Sequence, residues 1–235
     1  MIRLVAMDLD GTLTQHKSLP DRLCIETLKE LGKQYQLLIV GAGGCRRIYE
    51  QLIGCDYDVI GFYGMESAYV KNGLLIEKRN DVVDVDKDLV TMRAHQLRKE
   101  FQLTSYAGLP VEFHKSGMIT FPILGTAAKL EEKLLYDPDR EKRRRMYKRV
   151  VDIISNFNVF IGGTSSFDIV PKPYCKSYAL DNYIIENGYN NDEVIYFGDD
   201  YGIGGNDEDI YKSDIRFVCI DNYRDFPEKA RSILL

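Results

Sequence analysis

The sequence predicts an α/β protein with a doubly wound, mostly parallel sheet interrupted by an inserted α+β segment. Three observations predict it. Apolar residues run almost without alternation through Ile2 to Met7, Leu37 to Val40 and Val194 to Phe197, as expected of strands covered on both faces by helices. Each run stops at acidic or glycine-rich residues, and helical patterns follow the first two, the cadence of a parallel sheet. Between Asp81 and Pro171 the pattern changes to helices interleaved with paired, alternating segments. The expected division is a core of residues 1–82 and 173–235 with an inserted α+β domain at 83–172.

Taken in order, the first run ends in Asp8-Leu9-Asp10-Gly11-Thr12. Ligands of an open α/β sheet bind at the carboxyl ends of its strands, and two acids stranded there suggest a cation site. A calcium loop does not fit, because further oxygen ligands and a closing Glu are missing at the required spacing. Ser18-Leu19-Pro20-Asp21 reads as a helix start with Ser18 as N-cap. The strand Leu37–Val40 leads into Gly41-Ala42-Gly43-Gly44 and a helix from Cys45, so Gly43 and Gly44 lie in a candidate anion cradle. Asp58 to Tyr63 is a further strand, and Tyr69 to Ile76 forms a hairpin turning at Asn72-Gly73.

Inside the insertion, Asp86 to Glu100 is helical, Val111 to Ile123 pairs as a hairpin, and Pro138 to Phe157 is a long basic helix. Strands at Val159–Ile161 and Ser166–Val170 flank Gly162-Gly163. The run Glu141 to Arg149 reads as a solvated helix face, since no second basic stripe accompanies it. After the insertion, Lys176 heads a helix that stops at Gly188. The strand Val194–Phe197 then ends in an acidic, glycine-rich loop with Asp199, Asn206 and Asp207, oxygen ligands of the kind magnesium takes. Arg216 to Ile220 is the last strand.

Composition excludes several classes. With 45% apolar and 29% charged residues and a formal net charge of -5, the chain has no electrostatic footprint for nucleic acid. Cys24, Cys45, Cys55, Cys175 and Cys219 form no Cys-x-x-Cys pair, which fits reduced thiols in the cytoplasm. No stretch approaches the length of a membrane span.

Asp8-x-Asp10-Gly11-Thr12, Lys176, and Gly198-Asp199 with Asn206-Asp207 resemble three motifs of the haloacid dehalogenase superfamily. More narrowly, Glu112-Phe113, Gly117-Met118, Pro122-Ile123, Ser166-Phe167-Asp168 and Gly204-Gly205-Asn206-Asp207 resemble landmarks of the eukaryotic-type phosphomannomutases over nearly the full length. The resemblance implies a Rossmann-like core with a cap of class IIB type. It also implies Mg2+, with Asp8 as nucleophile and metal ligand, Asp10 as acid/base with its carbonyl on the metal, and Asp199 completing the ligands. Asp207 would join the metal loop with Asn206, and Lys176 would neutralise the phosphoaspartate. Ser166 and Asp168 would touch phosphate and sugar hydroxyls, and a homodimer would form through the cap.

The chain also departs from that pattern. Gly43 stands where the second motif offers a hydroxyl, and the arginines that grip a distal phosphate fall on His114, near Thr126 and on Lys133. Lys17 replaces another. Lys and His give a phosphate less than an Arg fork does. A mutase must hold phosphate at both ends of a sugar, so a sugar-phosphate phosphatase is the leading expectation. A phosphomannomutase is the alternative, and a catalytically weak sugar-phosphate binder comes third. The amides of Ala42 to Cys45, with Lys176, are expected to replace the missing hydroxyl, so that Gly43→Ser changes turnover little.

Overall fold

A computed structural model describes residues 1–52 and 56–235 of the chain. In chain order the strands are β1 (Leu4–Met7), β2 (Gln36–Val40), β3 (Tyr57–Gly61), β4 (Glu66–Lys71), β5 (Leu74–Asn80), β6 (Glu112–Phe113), β7 (Ile119–Pro122), β8 (Phe157–Gly162), β9 (Ser166–Pro171), β10 (Val194–Gly198) and β11 (Arg216–Cys219). The helices are α1 (Arg22–Leu31), α2 (Cys45–Gln51), α3 (Lys87–Glu100), α4 (Leu130–Tyr136), α5 (Glu141–Ile153), α6 (Lys176–Glu186), α7 (Glu208–Tyr211) and α8 (Phe226–Leu234). They fall into two compact units. The first comprises Met1–Asp81, Lys176–Gly202 and Asp207–Leu235, and the second Val82–Cys175 with Ile203–Asn206. The second unit thus takes in a short piece of the loop after β10, which the linear division left in the core.

The first unit carries a sheet ordered β11-β10-β1-β2-β3-β4-β5. It is parallel from β11 to β3 and antiparallel from β3 to β5. Helices cover both faces, which is why the strands do not alternate. Val5 and Met7 pack with Leu28, Ile48 and Phe226 on one side, while Leu4 and Ala6 meet Leu180, Tyr183 and Ile184 on the other. From β1 the chain winds outward through β2 and β3, and returns later to add β10 on the opposite side. That reversal opens a crevice at the carboxyl end of β1, the place where Asp8 leaves the sheet. The β4–β5 hairpin turns at Asn72 (φ 51°) and Gly73 (φ 73°), the left-handed pair such a turn requires.

The second unit is an antiparallel sheet ordered β6-β7-β9-β8. α3 and α5 bury Val90, Ala94, Leu97 and Val150 against Ile119, Phe121, Phe167 and Ile169. The Asp86 side chain caps α3 by accepting the Leu89 amide at 2.9 Å.

Two local expectations are corrected. The N-cap of α1 is Asp21, whose carboxylate accepts the Cys24 amide at 2.8 Å. The Ser18 hydroxyl instead donates to the Gln15 carbonyl at 2.7 Å, closing a turn that passes through Lys17 in the left-handed region (φ 56°). The basic helix is shorter than expected, and it is not uniformly solvated. Arg143 is 1% exposed. It is paired with Asp137 at 2.8 Å and donates to the carbonyls of Gly162, Gly163 and Ser166. Cys24 and Cys45 are buried and Cys175 and Cys219 half-buried, and Cys55 lies outside the described residues. No helix among the described residues is long and apolar enough to cross a membrane.

Candidate active site

β1 and β10 run side by side with Met7 opposite Phe197, so Asp8 and Asp199 emerge at the same sheet edge. α6 begins at Lys176, packs across that face, and brings its ammonium beneath them. Lys176 Nζ donates to Asp8 Oδ1 at 2.6 Å and to Asp207 Oδ1 at 2.8 Å. All three side chains are buried. Asp207 also accepts the Tyr196 hydroxyl at 2.7 Å and the Asp200 amide at 3.3 Å. Its two oxygens therefore hold three donors and anchor the lysine. Thr12 Oγ1 reaches Asp199 at 3.4 Å. Gly11 (φ +104°) lets the loop lie against that carboxylate, because a Cβ there would stand 2.4–2.7 Å from its atoms.

Ligand oxygens of Asp8, Asp199 and Asp207 lie within 4.8 Å of one another. Burial pushes the Asp8 carboxyl well up, Asp207 and Asp199 push in the same direction, and Lys176 pulls it back. Burial works to lower the Lys176 pKa, but Asp207 and Asp8 outweigh it and raise it. One lysine among three clustered acids leaves an excess of buried negative charge. That donor set, all hard carboxylate oxygen, fits a divalent cation.

Asp10 does not join the trio with its side chain. Its carboxylate accepts the Lys17 amide at 2.7 Å and Arg47 Nη2 at 2.8 Å, and His16 stands 4.0 Å away. Burial would raise the Asp10 pKa, yet Arg47, with His16 and the Lys17 amide, holds it below the ordinary carboxylate range. Arg47 was not among the residues singled out from sequence, nor was Tyr196. Position 47 lies four residues from Gln51 on α2, whose side chain accepts from Arg47 Nη1. This spacing was the one sequence signal available.

The glycine cradle differs from its expected form. Gly43 and Gly44 do lie between β2 and α2, but the amide of Cys45 is taken by Glu66 Oε2 at 2.8 Å. A carboxylate therefore occupies the amide that was expected to serve a phosphoryl oxygen. Beside Gly43 the space is also filled. A Cβ there would meet Arg47 Nε at 2.2 Å, Nη2 at 2.3 Å and Cζ at 2.6 Å. A serine there requires the guanidinium to move, so Gly43→Ser does more than add a hydroxyl. The buried Cys45 thiol is pushed up to about 12 by burial and by Glu66, which removes it as a nucleophile.

In the second unit, Ser166 and Asp168 lie on β9, where Asp168 pairs with Thr120 on one side and Phe160 on the other. Ser166 Oγ donates to the Gly162 carbonyl at 3.0 Å. Asp168 is buried, and glycine at 162 leaves room for its carboxylate, since a Cβ there would stand 2.3 Å from Oδ1. His114 Nε2 bonds Thr120 Oγ1 at 3.0 Å, and Lys133 Nζ donates to the Thr126 carbonyl at 3.1 Å.

Known proteins resemble this chain in sequence and in fold. The sequence profile described as eukaryotic phosphomannomutase matches residues 24–232. The phosphomannomutase of Dendrobium officinale is 30% identical over 223 residues, 90% of this chain and 85% of that protein. The Oryza sativa subsp. indica phosphomannomutase is 27% identical over 252 residues, covering 99% and 96%. Among solved structures, N-terminally truncated, IMP-bound IMP-nucleotidase of Plasmodium falciparum matches with a TM-score of 0.68 at 16% identity, over 99% of this chain and 68% of that one. A Thermoplasma acidophilum protein matches with a TM-score of 0.58 at 18% identity, covering 99% and 96%. The last two likenesses concern the fold. The chain is an enzyme that belongs to the eukaryotic phosphomannomutase family, with the haloacid dehalogenase-like core that its first carboxylate pair announced.

Proposed function

We propose that this enzyme is a magnesium-dependent sugar-phosphate phosphatase working through an aspartyl-phosphate on Asp8. The observation that carries the hydrolytic reading is the state of three positions in the second unit. His114, Thr126 and Lys133 stand where the family resemblance expects arginines, and the side chains of His114 and Lys133 bond Thr120 and the Thr126 carbonyl. A second phosphate would find no bidentate fork at these positions.

In the first half-reaction an Asp8 carboxylate oxygen attacks phosphorus, forming an acyl phosphate as the P–O bond to the sugar breaks. The leaving oxygen takes a proton through Asp10, whose carboxyl Arg47 holds ionised in the free site and which must first gain that proton from solvent. In the second, Asp10 removes a proton from water, the water oxygen attacks phosphorus, and the bond to Asp8 breaks to release phosphate. Lys176 holds the Asp8 carboxylate in position and balances charge on it. Asp8, Asp199 and the Asp10 carbonyl would hold Mg2+, with Asp207 at the edge of the set anchoring Lys176. The ion would supply charge neutralisation between carboxylate and phosphate ester. Gly43 and Gly44 would line the phosphoryl pocket, and Ser166 and Asp168 the sugar.

The reading includes a cytoplasmic location and a homodimer through the second unit, where Leu130, Leu134 and Leu135 are exposed. Sedimentation at a monomer's mass across micromolar concentrations would count against the dimer. A mutase is the second reading, favoured by the phosphomannomutase relatives that span 90–99% of the chain. The test is a panel of hexose phosphates with Mg2+, with and without a hexose bisphosphate, followed by phosphorus NMR. Free phosphate should accumulate without the bisphosphate, and Asp8→Asn should abolish turnover with the fold intact. Rapid interconversion of 1- and 6-phosphates with little free phosphate would establish the mutase instead.

A further inference from the structure

We propose that Arg47 is a catalytic residue that contacts the transferring phosphoryl group, occupying the space beside Gly43 and acting jointly with that glycine. The inference rests on the phosphoryl-transfer reading and deepens it. β1 and β2 are neighbours with Met7 opposite Ile39, so Asp8 and the Gly41–Gly44 turn share one sheet edge. Four carboxylates gather near that edge: Asp8, Asp199 and Asp207 in the trio, and Asp10 beside them. Lys176 is committed to Asp8 and Asp207 and is 0% exposed. A phosphate dianion arriving there needs a further cation.

Arg47 is that cation by position. Its guanidinium fills the volume a side chain at 43 would take, and its Nη2 sits 2.8 Å from Asp10, the group that must reach the leaving oxygen. Its side chain is 31% exposed, open to an incoming ligand. The group is also preorganised. Gln51 accepts from Nη1 and is itself fixed by donating to the Ser18 carbonyl at 2.8 Å. These two bonds leave Nε–H, on the side of Gly43, and further N–H bonds to donate, and an arginine fork suits phosphate oxygens. Gly43 is not in the left-handed region. The demand for glycine there is thus spatial, set by Arg47.

The proposal is tested with Arg47→Ala, Arg47→Lys, Gly43→Ala, the Gly43→Ala/Arg47→Ala double variant and Gly43→Ser placed in the Arg47→Ala background. Two quantities are read: turnover of the best hexose phosphate, and affinity for inorganic phosphate with Mg2+ by calorimetry. Arg47→Ala should lower kcat/KM by about 10²- to 10³-fold, the scale of losing one preorganised donor. It should also weaken phosphate binding by roughly 10- to 100-fold, and Lys should fall between. Gly43→Ala should keep the thermal stability and lose activity comparably, because its methyl displaces the guanidinium. The double variant should be no worse than Arg47→Ala alone, and Gly43→Ser should raise activity in the Arg47→Ala background, where a hydroxyl has room. Arg47→Ala within about threefold of wild type in both quantities, or losses that multiply in the double variant, would overturn the proposal. If no sugar phosphate turns over but Arg47→Ala still weakens phosphate binding, the contact between Arg47 and phosphate stands and the functional reading falls. Turnover indifferent to Arg47 has the opposite meaning.

Discussion

Replacing Lys176 by methionine removes the cation that two buried acids share. At an effective dielectric of about 20, contacts of 2.6 and 2.8 Å to charged carboxylates are each worth about 6 kcal/mol of gross attraction. Repulsion between Asp8 and Asp207, whose oxygens lie within 4.8 Å, returns about 3 kcal/mol or more. Desolvation of the ions takes several more. The net loss on removing one partner of such a set is about 3–5 kcal/mol, so Tm should fall on the order of 10 °C. Its pH dependence has a defined sign. Asp8 is already raised by burial and by its acidic neighbours against the pull of Lys176, and loss of the lysine raises it further. A carboxyl with a raised folded pKa contributes stability below its unfolded pKa, about 4, and loses it as pH rises through the folded value. The gap between wild type and variant should therefore widen from pH 5 to pH 8. Added Mg2+ should narrow it, stabilising the variant more than the wild type. Calorimetry at several pH values, with EDTA or with Mg2+, measures all of this. A Tm within 2 °C of wild type in EDTA at pH 8, with unchanged turnover, would refute the charge balance described here.

Three further outcomes are expected. Gly11→Ala should weaken Mg2+ binding at least tenfold by calorimetry, because its Cβ would stand 2.4–2.7 Å from the Asp199 carboxylate at a φ of +104°, a strain of about 1–3 kcal/mol. Asp10→Asn should cost about 10²- to 10⁴-fold in turnover and change the pH-rate profile; an unchanged profile would argue against its acid/base role. Asp137→Asn removes the carboxylate paired at 2.8 Å with the buried Arg143 and should cost about 3–5 kcal/mol. Burial would raise the Asp137 carboxyl, but Arg143 and the amides of Lys142 and Arg143 hold it low. Its contribution is therefore present above about pH 4 and lost as pH falls through the folded value. Acid unfolding followed by circular dichroism should be steeper in the wild type than in this variant.

What the sequence determined by itself is the part set by local pattern. The unalternating apolar runs of β1, β2 and β10 announce strands buried on both faces, and Asn72-Gly73 announces its turn, because those signals come from burial and backbone sterics within a few residues. Asp8, Lys176 and Asp199 were legible as a set through their joint resemblance to a known family's motifs, not through local pattern alone. Local signals also compete. Ser18 and Asp21 both suit an N-cap, and the αL turn at Lys17 decided for Asp21 by engaging the Ser18 hydroxyl with Gln15. Only the tertiary structure decided what surrounds the carboxylates. Arg47 reaches Asp10 across 37 positions, Glu66 takes the Cys45 amide across 21, and Arg143 reaches Gly162 across 19. Side chains of this length choose among several partners, and the choice depends on which elements the sheet order brings together. Hydrophobic periodicity carries no record of that choice, so a guanidinium could fill the place where a missing hydroxyl had left an apparent gap.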